Sequence, residues 1–207
     1  GLPLLNPLIA GETLRNYHFF YDLLLSGFGI ISGLSSVDLY FRFFPILLCL
    51  SLGLTVFIFA RAWSKNNIAP FIALFFVYFG GSFGWVLTYI KDKSFGGETT
   101  FWAQQGISTL INPPFAISLL IFTAGLYLFF LSAEQKKYHW MWVMPVIILW
   151  GSLIEFKAYI GILVLVSLCF VTLLEMVKKN WQILKISIPT ALLSLIVFLP
   201  NNLGSSS

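Results

Sequence analysis

The run from Met141 to Val177 is the feature that most restricts what this chain can become. It is apolar throughout, except for Glu155 and Lys157 near its middle and Glu175 near its end. As one helix, at 1.5 Å per residue, it would reach about 55 Å, nearly twice the roughly 30 Å hydrocarbon core of a bilayer. It must fold back, and GSLIEFKAYIG (151–161), with a glycine at each end and two charges inside, is the expected bend. Two membrane crossings follow from this one run.

Four other runs, 43–60, 68–90, 114–133 and 183–200, are each long and apolar enough for a crossing. Backbone N–H and C=O groups in hydrocarbon need internal partners, so such runs become helices. The expected fold class is all-α, a polytopic transmembrane helix bundle of about six spans plus one interfacial or spanning opening helix. Composition excludes the soluble alternative. The chain is 58% hydrophobic and 10% charged, whereas a soluble domain carries about 25% charge. It lacks the polar side chains needed to cover a folded surface in water.

The net charge of +4 does not point to nucleic acid, because the basic residues sit in short clusters between apolar runs. That pattern orients membrane spans. Arg61, Lys65, Lys136, Lys137, Lys178, Lys179 and Lys185 fall on one face. Arg42, Lys91, Lys93 and Lys157, mixed with Asp38, Asp92, Glu98 and Glu155, fall on the other. The first face is expected to be cytoplasmic. Cys49 and Cys169 each lie inside an apolar run and read as small core residues.

Residues 1–42 are expected to be part of a first outer loop with a juxtamembrane amphipathic helix. Residues 43–207 are the transmembrane bundle, a single membrane domain with an outer loop at 91–113. That loop is far longer than the about 4–6 residues of a usual connection, and Phe101 and Trp102 suit contact with the bilayer surface. In the opening helix His18, Asp22, Ser26, Gly29 and Gly33 follow one helical face, with Leu24, Phe28 and Ile31 opposite. Such a two-faced helix fits a flat, interfacial position better than a lipid-embedded one; a spanning helix packed through its small residues is the rival. Residue 1 is Gly and no signal segment opens the chain, so a fragment of a longer protein is expected.

Five residues are candidates for binding chemistry. His18 and Asp22, four apart, would share a helical face and could hydrogen-bond, binding substrate or handling a proton; solvation by headgroups is the plain reading. No third ligand makes a metal site there. Glu155 and Lys157 are ionisable groups at the bend, and such groups near membrane depth are functional candidates by default. They point apart on a helix unless the backbone breaks between them. Lys157 suits an anionic headgroup, against simple snorkelling to the interface. Arg42 carries the planar fork that suits phosphate, against an interface anchor paired with Asp38. No glycine-rich nucleotide loop, cysteine cluster or nucleophile motif is present, so a cytosolic nucleotide sugar or ATP is not supported. No cofactor is identified, and a divalent cation is allowed but has no ligand set.

In order and spacing these features resemble the GT-C superfamily of polytopic membrane glycosyltransferases, of the protein O-mannosyltransferase and aminoarabinose-transferase type. NYHFFYDLLLSGFGIISGLSSVDLYFRFFPILL looks like the family's juxtamembrane helix, ending in Gly and followed by an Arg-x-x-Pro-like entry, here with the proline one place later at Pro45. FARAWSKNNIAPFIALFF looks like its short basic turn. STLINPPFAISLLIFTAGLYLF is similar to the outer loop entering a helix near an Asp-x-Pro, with Asn112 here ahead of Pro113 and Pro114. GSLIEFKAYIGILVLVSL resembles the glycine-flanked lysine segment, with Lys157 in the lysine position. The resemblance implies a sugar moved from a polyprenyl-phosphate carrier to a protein, lipid or glycan acceptor at the outer face of a bacterial or archaeal plasma membrane. It implies a flat opening helix, and a catalytic acid upstream of Gly1. Lys157 and Arg42 would then hold the carrier phosphate. The competing readings are a transporter or lipid flippase, for which no internal repeat is visible, and a non-catalytic membrane scaffold.

Overall fold

The computed structural model describes residues 18–81, 84–94, 105–134 and 140–202. These residues form an all-helical bundle. Its helices are α1 (Phe20–Ser32), α2 (Ser36–Ser64), α3 (Ala69–Phe79), α4 (Gly84–Asp92), α5 (Gln105–Ile111), α6 (Pro113–Glu134), α7 (Trp140–Phe156), α8 (Ala158–Val177) and α9 (Leu184–Asn202). Helices α2, α6 and α8, together with Trp181–Leu199, are long and apolar enough to cross a bilayer. Their outward faces are aliphatic and aromatic: Ile46, Leu50, Ile162, Val166 and Leu195 are all exposed. In water such a continuous apolar surface would demand a partner, and in a bilayer it is the lipid face. The protein is a multi-pass integral membrane protein.

Helix α7, at 17 residues, extends about 25 Å and is the centre of the bundle, flanked by α6, α8 and α9. The expected bend in 141–177 falls at one residue, Lys157, between α7 and α8. The hairpin closes tightly because Gly161 lies on the backbone of Ile154, where a Cβ would collide with main-chain atoms. On the α6 side, Trp150 lies over Gly125 and its indole N–H donates to the Phe122 carbonyl at 3.3 Å. On the α9 side, the Ser194 hydroxyl donates to the Gly151 carbonyl at 3.1 Å. Lipid offers no hydrophobic drive between helices, so small residues and such bonds bring the backbones together.

The expected span 68–90 differs. It is not one helix. Helix α3 has 11 residues, about 16 Å, and stops at Gly80, whose extended backbone (φ −65°, ψ 149°) leaves the helix. The pair Gly80–Gly81 supplies the break, since glycine is poorly helical and has no side chain to pack. The Tyr78 hydroxyl ties the end of α3 to the Cys49 carbonyl of α2 at 2.5 Å. Short helix α5 then docks beside it, the Gln105 N–H donating to the Gly80 carbonyl at 3.1 Å. Of the long outer loop, residues 91–94 at the end of α4 and residues 105–113 with α5 are described, while Phe101 and Trp102 lie outside the described residues, as do Lys136 and Lys137.

Helix α1 has 13 residues, about 20 Å, too short for the hydrocarbon core. It lies across one end of the bundle. Phe20 meets Phe156 at the end of α7, with ring centroids 5.7 Å apart, and Phe28 meets Phe44 near the start of α2 at 5.4 Å. Its buried face is Tyr21 and Leu25, so the polar stripe does not face inward: Ser26 is exposed beside exposed Leu23 and Ile30. Gly33 ends it in the left-handed region (φ 70°), as the terminal glycine anticipates. After a first turn at Ser36–Asp38, helix α2 passes through a π-helical turn, Leu39–Phe43, closed by the Phe44 N–H on the Leu39 carbonyl. That wider turn precedes Pro45, which has no N–H to donate and whose ring would crowd a regular preceding turn.

Candidate functional site

Lys157 is in extended backbone (φ −159°, ψ 106°). Its N–H still donates to the Leu153 carbonyl at 3.0 Å, and its carbonyl accepts from Ile160 and Gly161, each at 3.1 Å. One residue thus ends α7 and starts α8. The backbone break that would free Glu155 and Lys157 from opposite helix faces is present. Glu155 is fully buried in the last turn of α7, while Lys157 is half-buried, its ammonium 5.8 Å from the centre of the Tyr159 ring. That distance lies within cation–π reach.

His18, two residues before the Phe20 ring that packs on Phe156, is within electrostatic reach of this lysine. Burial, and then the positive charge of Lys157, hold its imidazole below the usual histidine range. Its Nδ1 is buried without a hydrogen-bond partner among the described residues. The expected His18 to Asp22 pair does not form. Helix α1 begins at Phe20 with Phe19 as its cap, so His18 is off the helix and the four-residue register has no meaning there. Asp22 instead lies towards α2, where it and Tyr40 add to burial in raising the Tyr21 phenol above its ordinary range. Arg42 is also set apart: its side chain is 78% exposed and bonded to Asp38 at 2.8 Å. Of the five sequence candidates, then, Glu155 and Lys157 share the α7–α8 corner within electrostatic reach of His18, while Asp22 lies towards Tyr40 and Arg42 is held by Asp38.

Next to that corner opens a cavity of about 890 Å³, which sequence reasoning missed. Tyr159 forms part of its wall, so the ring under the Lys157 ammonium is also a cavity ring. Gly80 and Gly81 line it, which accounts for non-helical backbone at membrane depth: such backbone is tolerated where it borders a cavity. Gln105 and Ser108 of α5, Asn112 at the α5–α6 junction, and Thr123 of α6 add amides and hydroxyls. Asn112 also caps α6: its backbone carbonyl accepts from Phe115 at 2.9 Å and Ala116 at 3.0 Å, and its side-chain oxygen accepts from the Phe115 N–H at 3.3 Å, which holds that side chain at the helix start. The readable signal was the Gly80–Gly81 pair inside an apolar run, followed after a long loop by the Asn112–Pro113 helix start.

A smaller space of about 280 Å³ lies deeper, between α6, α7 and α8. Leu126, Trp150, Leu163 and Leu168 line it, and it shares Phe122 with the large cavity. It exists because α8 rests on α7 and α9 while touching α6 only lightly. A mostly apolar cavity with a few amides and hydroxyls, a lysine near its edge and an apolar slot beside it together suit an amphiphile with an anionic group between a sugar-like head and a greasy tail. No family model, curated protein or solved structure matches this chain.

Proposed function

We propose that this chain forms the donor-binding part of a membrane glycosyltransferase that moves a sugar from a polyprenyl-phosphate carrier to a protein, lipid or glycan acceptor at the outer face of a bacterial or archaeal plasma membrane. The observation that carries the reading is the position of Lys157, with its ammonium over the ring that walls the large cavity. In this reading the carrier phosphate sits at Lys157, its sugar in the chamber of Gln105 and Asn112, and its tail in the apolar slot between α6 and α8. Lys157 stabilises the negative charge that grows on the departing lipid phosphate. The base that takes the acceptor proton comes from the first outer loop, as in the enzymes the chain resembles. His18, within electrostatic reach of Lys157, is a hydrogen-bond partner for that phosphate in this reading. Arg42, bonded to Asp38 and set apart from Lys157, takes no part in holding the phosphate in this reading.

The test is an assay of membranes carrying the full-length protein with radiolabelled polyprenyl-phosphate sugar. Transfer of label to acceptor is expected, and Lys157→Ala should lower it on the order of 10- to 100-fold, the loss of a charge-assisted contact. Unchanged turnover in that variant removes Lys157 from the site. A second reading, lipid transport, is favoured by the interruption of α3 at Gly80, since broken helices line transporter sites. Movement of intact carrier between leaflets, with no sugar released, would select it.

A further inference from the structure

Resting on that donor reading, we infer that the large cavity selects an electrically neutral sugar and rejects uronic acids and amino sugars on the same carrier. Among its described lining residues there is no Asp, Glu, Lys, Arg or His. The polar groups are amides and hydroxyls. Gln105 and Asn112 each offer a donor NH₂ and an acceptor carbonyl, the two-way partners that a ring of hydroxyls needs. The Asn112 side-chain oxygen already accepts from the Phe115 N–H at 3.3 Å, which turns its NH₂ to the donor role. The Thr123 hydroxyl donates to the Leu119 carbonyl at 2.8 Å, leaving its lone pairs to accept. Rings of Phe115, Phe122 and Tyr159 supply flat apolar wall for the C–H faces of a pyranose.

Among the described lining residues, a charge in this chamber would meet no counter-charge. A carboxylate or ammonium taken from water into such a site must be paired or neutralised. The adjacent cation, Lys157, is engaged by the phosphate in the donor reading, and Glu155 is fully buried within α7. The volume, about 890 Å³, is at the upper end of the roughly 300–1,000 Å³ of small-ligand pockets. Size therefore does not choose among single sugars. Charge does.

The full chain in lipid nanodiscs is titrated, by ligand-induced shift of thermal unfolding, with polyprenyl phosphate alone and with the same lipid carrying glucose, glucuronic acid or glucosamine. The glucosyl lipid is expected to bind on the order of 10- to 100-fold more tightly than either charged one. Asn112→Asp should bring the glucosamine lipid level with or ahead of the glucose lipid. Gln105→Leu, which leaves the α6 cap intact, should weaken the glucosyl lipid about 3- to 10-fold and leave polyprenyl phosphate unchanged. Binding of all three sugars alike, with polyprenyl phosphate still bound through Lys157, overturns neutral selection and leaves the donor reading standing. Failure of every lipid to bind overturns both.

Discussion

The block of α6, α7, α8 and α9 and the side built from α1 with α3 to α5 are made of similarly oily sequence but held in different ways. In the block, helices meet closely at glycines: Gly161 lies on the Ile154 backbone, Gly125 under the Trp150 side chain and Gly151 against the Leu193 side chain. On the other side the elements are short, and polar contacts such as Tyr78 to Cys49 and Gln105 to Gly80 add to the close contacts that Gly53 and Gly106 make with Tyr78. Hydropathy alone therefore does not tell a scaffold from a site. Where small residues recur along long helices, the helices pack closely; where glycines interrupt a run, the chain lines a cavity.

The largest effect should come from enlarging a small residue inside the block. Gly161→Leu places a side chain into the Ile154 backbone, which cannot yield, so the α7–α8 hairpin should open at a cost of about 3 kcal/mol or more. Unfolding in graded denaturing detergent measures it. A loss below about 1 kcal/mol would show that the hairpin tolerates separation and that the two sides of the molecule do not differ as described.

An aromatic truncation on each side sharpens the contrast. Trp150 is 4% exposed and Phe76 is 63% exposed. Trp150→Ala removes the wall between α6 and α7 together with the bond to Phe122, and should cost about 3–5 kcal/mol. Phe76→Ala, at the cavity and lipid side of α3, should stay within about 0.5 kcal/mol. Thermal unfolding of the two variants in the same detergent decides it. Equal losses would mean that α3 is as firmly packed as α7.

These differences also explain what the sequence made readable. The fold class, the bend in 141–177 and the glycine end of α1 follow from length and local propensity, which residues carry with them. The break in 68–90 was carried by Gly80–Gly81, yet hydropathy averaging erased it because the flanking Phe and Val residues dominate the window. The His18 and Asp22 pair was drawn on a helix that starts two residues too late to hold it. Tyr159 and Gln105 were invisible as site residues, since only the return of α5 against α3 brings a loop glutamine to an interrupted helix. Lys157 was legible because a charge in an oily hairpin is conspicuous in one dimension.

The smallest expected effect concerns how α1 is held at the end of the bundle. Docking puts His18 within electrostatic reach of Lys157 and under partial burial, which lowers its pKa from about 6.5. A histidine depressed in the docked state stays neutral there while the released one takes up a proton. Docking is therefore fully favoured above pH 6.5 and weakens as pH falls through 6.5 towards the depressed value. Leu25→Cys, at a buried position of α1, reports this: its labelling by a thiol reagent, corrected for thiolate fraction, should rise as pH drops from 7.5 to about 5.5. His18→Gln should flatten that rise. Lys157→Met should flatten it only in part, because burial is the larger cause and the lysine the smaller. A rise abolished by Lys157→Met would reverse that order and make the charge, not the buried position, the force on His18. Labelling independent of pH would mean that α1 is fastened as tightly as the small-residue block.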